Sequence, residues 1–304
     1  MKEQFKKFSS NIRLTSVQEQ DAETKYKGVC KKLHDFYYDI QYNGTTKLLF
    51  GSYKTKTNVR PIVADQDVDV LFKVTTDTFE KFDNHKNNGQ SALLQEVKLI
   101  LNEKYTTTDK ISAWGKVVLV EFSDRHHNIE VLPAYEKDNG TFLIPNSENG
   151  GFWETFDPRS QIKEFQNRNQ ISNGLVAELA RMVKAWIKNT PSLKYKSFQV
   201  VNDTITFLKT DFITGANFDQ YHLVVKNFLD FLKRNCGADI KNHAETAFNR
   251  TVKAIEFMDD NKPKEASEQW IRIFGDQFPK VNTNPKINGE KSRTFVTASA
   301  PWRK

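Results

Sequence analysis

Cysteine is scarce in this sequence. The 304 residues include two, Cys30 and Cys236, too few and too far apart for a disulfide framework or a C-x-x-C zinc pair. Both read as buried, unreactive core residues, and a reducing, cytoplasmic setting is the expectation. Long hydrophobic runs are missing as well. No stretch approaches the roughly 18 apolar residues of a membrane-spanning helix, and MKEQFKKFSSNIRL at the start lacks the apolar core of a secretory signal. No internal repeat is visible. Charge of one sign is not gathered in a block either. The net charge is +7, with lysine spread along the chain, so the pull on polyanions such as nucleotides, phosphates or nucleic acid is mild. What is present, 38% hydrophobic and 27% charged residues, is a globular composition. The length suits one large domain or two lobes.

Periodicity divides the chain. Residues 15–41 place Val17, Ala22, Tyr26, Val29, Leu33 and Phe36 on one face of a long helix, with Thr15 or Ser16 as N-cap. NGT at 43–45 is a turn. KLLF is a short strand ending at Gly51-Ser52, and DVDVLFKV is a second strand. Residues 88–105 form a helix with Leu93, Val97, Ile100 and Leu101 on one side. WGKVVLVEFS (114–123) and HNIEVLPAY (127–135) are strands joined by DRHH, and TFLIPN is a further strand edge. NSENGGFWETFDPRS reads as a loop crossing between lobes. Residues 160 to 275 are helical. Within them Leu175, Leu179, Met182 and Trp186 form one stripe, and Arg181, Lys184 and Lys188 lie on the opposite face, where a helix ordinarily meets solvent. The end of the chain, rich in polar residues, Pro and Lys, reads as a loosely attached tail. The expected organisation is a strand-and-helix lobe over 1–150, a helical lobe over 151–278 and a tail over 279–304.

The chemistry concentrates in DQDVDVLF. Asp65, Asp67 and Asp69 recur at every second position, which on a strand sets all three carboxylates on one face. Val68 and Val70 take the other. Like charges repel there, and Asp is unfavourable in strands. NIEVLPAY carries Glu130, with Ile129 and Val131 facing oppositely. If the two strands are neighbours, Asp67, Asp69 and Glu130 converge, and a divalent cation best relieves the repulsion. Hard oxygen donors without thiolates or a histidine cage favour Mg²⁺ or Mn²⁺ over zinc. Three shared carboxylates suit two ions, which about 4 Å apart can activate an attacking hydroxyl and stabilise a leaving oxygen. A bare D-x-D also occurs on solvated edge strands. The GS dipeptide adds specificity. Gly51 allows close approach of the backbone to a ligand, and Ser52 with the next backbone N–H groups can hold phosphate oxygens. His126 and His127 read as surface residues at a strand entry. Trp153 and Trp270 read as core, and Asp65 as solvated or capping.

The ordered set FGSY, DVDVLF and NIEVLPAY resembles the catalytic core of polymerase-beta-type nucleotidyltransferases. More narrowly it resembles the bacterial relatives of cyclic GMP-AMP synthase and oligoadenylate synthase, the CD-NTases that make cyclic oligonucleotides in antiphage signalling. GGFWETFDP, LARMVKAWIK followed by KYKSF, and WIRIFGDQFP extend the likeness over roughly residues 10 to 280. The resemblance implies an α+β fold: a bilobal polymerase-beta-like core, with a mixed sheet and flanking helices, plus a helical second lobe. It implies that Asp67, Asp69 and Glu130 hold two Mg²⁺ or Mn²⁺ ions, with Glu130 where the family usually has Asp. Gly51, Ser52, Lys184 and Ser197 would hold the donor triphosphate. Phe198, where many relatives carry Tyr, would stack on a base.

The implied reaction joins NTPs, ATP among them, into a cyclic di- or trinucleotide with release of pyrophosphate and without a template. A linear oligonucleotide synthase or transfer to another acceptor keeps the same chemistry. An inactive nucleotide-binding sensor is a third reading, against which the intact carboxylate set speaks. The zinc insertion by which cyclic GMP-AMP synthase grips DNA has no counterpart among two lone cysteines, so neither zinc nor direct DNA sensing is expected. FVTASAPWRK is a candidate handle for a partner protein from the same operon.

Overall fold

The computed structural model describes residues 1–62, 67–108, 110–124, 126–210 and 217–282. Asp65 and the FVTASAPWRK segment lie outside the described residues.

The opening residues, assigned no element from the pattern, fold as α1 (Lys2–Ile12). The expected long helix is α2 (Ser16–Tyr37), begun by a capping box in which Thr15 and Gln18 bond reciprocally. Ala22, Val29 and Leu33 form its buried stripe, whereas Val17 and Phe36, at its two ends, are 77% and 54% exposed. The strands are β1 (Lys47–Leu49), β2 (Val68–Lys73), β3 (Lys110–Trp114), β4 (Val117–Glu121), β5 (Ile129–Glu136), β6 (Phe142–Asn146) and β7 (Phe152–Phe156). Helices α3 (Gly51–Thr55), α4 (Thr76–Asp83) and α5 (Gly89–Lys104) lie between them. The helical half comprises α6 (Pro158–Ile171), α7 (Leu175–Lys188), α8 (Ser197–Thr210), α9 (Tyr221–Asn235), α10 (Ala238–Asp259) and α11 (Pro263–Phe274).

The sheet runs β1-β2-β5-β4-β3, with β6 on the distal part of β5 and β7 on β6. Among the described residues every pairing is antiparallel except β2 with β5, which is parallel. This is a mixed sheet with many helices, the α+β architecture implied by the resemblance. Two local expectations change. The strand expected over 114–123 is the second arm of a hairpin, because Gly115 at φ +57° turns the chain between β3 and β4. The expected crossover loop contains β7. Gly150 and Gly151, at φ +89° and +90°, turn the chain so that FWETF pairs with β6.

Two large apolar clusters organise the molecule. One is formed by the sheet with α2 and α5, including Val68, Val70, Val97 and Val131. The other fills the helical half, and Phe5, Phe8 and Ile12 of α1 belong to it. The Phe5 ring meets Trp270 edge-on at 5.0 Å and Phe278 at 5.2 Å. The first helix thus crosses the expected division at residue 150 and packs with the helical lobe. The basic face of α7 is also not solvated. Arg181 and Lys184 are 6% and 8% exposed, because the α3–β2 segment covers that face.

Candidate active site

The register of the one parallel pair builds the site. Asp69 and Glu130 are Cα partners across β2 and β5. Their neighbours Val68, Val70, Ile129 and Val131 are fully buried on the other face. Period-two alternation therefore turns both carboxylates to the same side. Asp67 immediately precedes β2. The Val68 N–H donates to the Asn128 carbonyl at 2.9 Å, tying the two strand starts together.

Gly51 stands against this face. The Phe50 N–H donates to the Asp69 carbonyl at 3.3 Å, which brings the start of α3 over the carboxylate. Gly51 adopts φ +62°, and a Cβ there would lie 2.1 Å from Asp69 Oδ2. Glycine is required twice over, for the left-handed backbone and for the space.

A cleft of about 1040 Å³ opens between the sheet and the helical lobe. Ser52, Asp67, Asp69 and Glu130 line one wall, and Lys184 and Ser197 line the other. Six of the eight residues singled out from the sequence thus share one cleft. Gly51 backs the site through Asp69. Phe198 is not among the lining residues and is 61% exposed on the first turn of α8. The aromatics in the wall are Phe274 and Tyr195, and the Tyr195 hydroxyl donates to Asp203 Oδ2 at 2.7 Å.

The electrostatics are those of a crowded, dry acidic site facing one buried cation. Burial, then the charges of Glu130 and Asp67, push the Asp69 carboxyl up to about 7, and Lys184 opposes them. Burial and Asp67 also raise Glu130. Burial lowers the Lys184 ammonium to about 7 against the attraction of Asp69, and Arg181 and Lys188 add to the lowering. Lys184 Nζ donates to Thr57 Oγ1 at 3.1 Å. Thr57 had no signal in the sequence, since a threonine in KTKTNVRP carries no motif, and Tyr195 lay within KYKSF without being singled out. The donor set fits a hard divalent cation: carboxylate oxygens that repel one another, and a carboxyl raised by burial and by its acidic neighbours.

The two histidines at the β5 entry separate. His126 is exposed, but His127 is fully buried, a departure from the surface reading. Its Nδ1 lies 2.8 Å from Asp21 Oδ2, and its ring meets Tyr53 edge-on at 5.3 Å. Asp21, Asp124 and His126 offer ligand atoms within 4.8 Å of one another. The Lys25 ammonium already bridges the two aspartates, at 3.1 and 2.6 Å.

A mixed sheet presenting paired carboxylates, beside a Gly-Ser turn and under a helical lobe, defines a polymerase-beta-like nucleotidyltransferase. The chain belongs to the SMODS family, described as the Second Messenger Oligonucleotide or Dinucleotide Synthetase domain, which matches residues 1–169. It is a CD-NTase, a nucleotidyltransferase of the kind that builds cyclic oligonucleotides. A probable cyclic nucleotide synthase of Bacillus cereus strain VD146 is 24% identical over 283 residues, covering 78% of this chain and 83% of the relative. Among solved structures, Escherichia coli MS115-1 CdnC with ATP superposes with a TM-score of 0.67 at 15% identity, over 91% of this chain and 98% of that one. Vibrio cholerae DncV cyclic AMP-GMP synthase, in complex with the linear intermediate pppA(3′,5′)pG, superposes with a TM-score of 0.69 at 11% identity, over 89% and 93%.

Proposed function

We propose that this protein is an Mg²⁺-dependent, template-independent synthase that joins NTPs into a cyclic di- or trinucleotide second messenger for antiphage signalling. The observation that carries the reading is the convergence of Asp67, Asp69 and Glu130 with Ser52, Lys184 and Ser197 on one cleft.

Asp67, Asp69 and Glu130 would hold the divalent ions. Such ions lower the pKa of an attacking hydroxyl and neutralise a leaving pyrophosphate. Ser52 and Ser197 donate hydroxyl hydrogens to the donor's phosphate oxygens, and Lys184, charged once phosphate is beside it, balances their negative charge. A 2′- or 3′-hydroxyl oxygen of the second nucleotide attacks the α-phosphorus. The bond from that phosphorus to the bridging oxygen breaks, and pyrophosphate departs. The hydroxyl proton passes to a carboxylate oxygen of Glu130. A repeated transfer within the same cleft closes the ring. Phe198, exposed and next to Ser197 in sequence, would meet a base only where that base extends beyond the wall.

NTP use is supported by the neighbours, CdnC with ATP and CdnG of Bradyrhizobium diazoefficiens with GTP. CdnC has also been solved with a HORMA protein, which supports a protein partner here; FVTASAPWRK is the handle proposed for it from the sequence. Among the described residues no helix is long and apolar enough to cross a membrane, and a cytoplasmic enzyme is part of this reading. So is the organisation into a catalytic lobe, a helical lobe and a tail over 279–304.

The deciding experiment incubates the purified chain with α-³²P-labelled ATP, GTP, CTP and UTP, singly and mixed, with Mg²⁺ or Mn²⁺. Asp67→Ala/Asp69→Ala is the control. A phosphatase-resistant product, absent from the control and cyclic by mass spectrometry, is expected. A phosphatase-sensitive ladder would replace the cyclic reading with a linear synthase.

A further inference from the structure

Residues 56–61, between Ser52 and Asp67 in sequence, are held from two directions. From α7, Arg181 Nη1 donates to the Lys56 carbonyl and Lys184 Nζ to Thr57 Oγ1. Lys188 Nζ donates to the carbonyls of Val59 and Pro61, at 3.3 and 2.5 Å. From the end of α1, the Ile12 carbonyl accepts the Arg60 N–H and the Ser10 carbonyl accepts Arg60 Nη2, both at 2.8 Å. Residues 181, 184 and 188 follow helical spacing, so one face of α7 delivers three cations to one segment.

Arg181 differs from Lys184. It is not among the residues lining the cleft, and its guanidinium is already engaged on two sides. One nitrogen reaches the Lys56 carbonyl and another meets Glu178 Oε1 at 2.9 Å. The Glu178 carboxylate also pairs with Arg13 and accepts from Ser9 Oγ at 2.8 Å. Both Glu178 and Arg181 side chains are 7% exposed. In so dry a setting the planar fork is fixed in direction, and without Glu178 the two guanidiniums would face each other unscreened. The position of the 56–61 segment is therefore coupled to α1 through one buried carboxylate.

We propose that Glu178 and Arg181 are positioning residues of the nucleotide site, holding the 56–61 segment so that Ser52, whose carbonyl accepts the Thr57 N–H at 2.9 Å, keeps the place a bound triphosphate needs. This rests on the nucleotidyltransferase reading.

The test uses the full chain. Arg181→Lys keeps the charge and loses the fork. Glu178→Gln keeps the size and loses the charge. Phe228→Leu, in the helical core, is a control for destabilisation alone. Calorimetry with Mg²⁺ and a non-hydrolysable ATP analogue reads binding without turnover, and kinetics separate KM from kcat. Both network variants are expected to raise Kd and KM about tenfold while kcat changes far less, with Phe228→Leu near wild type. Ser9→Ala, which leaves both charges in place, is expected to shift Kd the same way by a smaller factor, and it decides the matter if Arg181→Lys does not fold. An unchanged Kd in a folded network variant would overturn the inference, as would an equal rise in Phe228→Leu. A wild-type chain that binds no analogue would instead overturn the nucleotide reading on which it stands.

Discussion

Asp69 on β2 and Glu130 on β5 stand directly opposite each other across the one parallel strand pair of the sheet. Two acids at one register step, with Asp67 just before them, crowd like charges at one buried place, which Lys184 opposes. That tension yields several measurable consequences.

Asp69→Asn removes one charge and keeps the shape. Activity is expected to fall at least about a thousandfold, since charge stabilisation at the reacting phosphate is lost. In metal-free buffer the same variant is expected to melt a few degrees higher than wild type. Steady-state kinetics and scanning calorimetry on one preparation check both.

Gly51→Ala places a methyl group against the Asp69 carboxylate in a left-handed backbone. The backbone strain alone costs about 1–2 kcal/mol. Displacing the carboxylate is expected to lower turnover about a hundredfold. Melting temperature and kcat, measured together, should both fall, in contrast to Asp69→Asn.

The pH dependence of stability has a definite sign. Asp69 is raised from 3.8 to about 7 in the folded chain, so between those values the folded state holds more protons than the unfolded state. Stability from this group is full below the lower value and is lost as pH rises through the upper one. Metal-free wild type is therefore expected to lose melting temperature between pH 4 and 7 relative to Asp69→Asn. Lys184 is lowered from 10.5 to about 7, so its contribution recovers from pH 7 towards 10.5. Calorimetric scans of wild type, Asp69→Asn and Lys184→Met across this range isolate the two slopes.

A divalent cation should reverse the repulsion. Mg²⁺ or Mn²⁺ at a hundred times its Kd would stabilise the fold by about 2.7 kcal/mol. The thermal shift is expected in wild type and not in Asp67→Ala/Asp69→Ala. A shift that survives in the double variant but vanishes in Asp124→Ala would move the ion to the Asp21–Asp124–His126 group.

Much of this architecture was legible in short patterns. The alternation of DVDVLF and NIEVLP specified two strands with one acidic face each, and the apolar spacing of α5 and α7 specified two helices. Other features were not legible, for identifiable reasons. FWETF is a strand because β6 offers it a free edge after two left-handed glycines. α1 packs with the helical lobe because Trp270 and Phe278, more than 250 residues away in sequence, complete its apolar face. His127 is buried because Asp21 and Tyr53 close over it.

Residue type and spacing along a single element are local properties, and they carried the carboxylates, the Gly-Ser turn, the class of cation and the family likeness. Which elements lie side by side depends on contacts between distant residues that no local pattern encodes. The pairing of β2 with β5 put Asp69 opposite Glu130. The docking of α7 on the 56–61 segment turned a basic face expected in solvent into a buried row of donors. Burial there withdraws water from charged groups, and that withdrawal moves Asp69 up and Lys184 down to about 7.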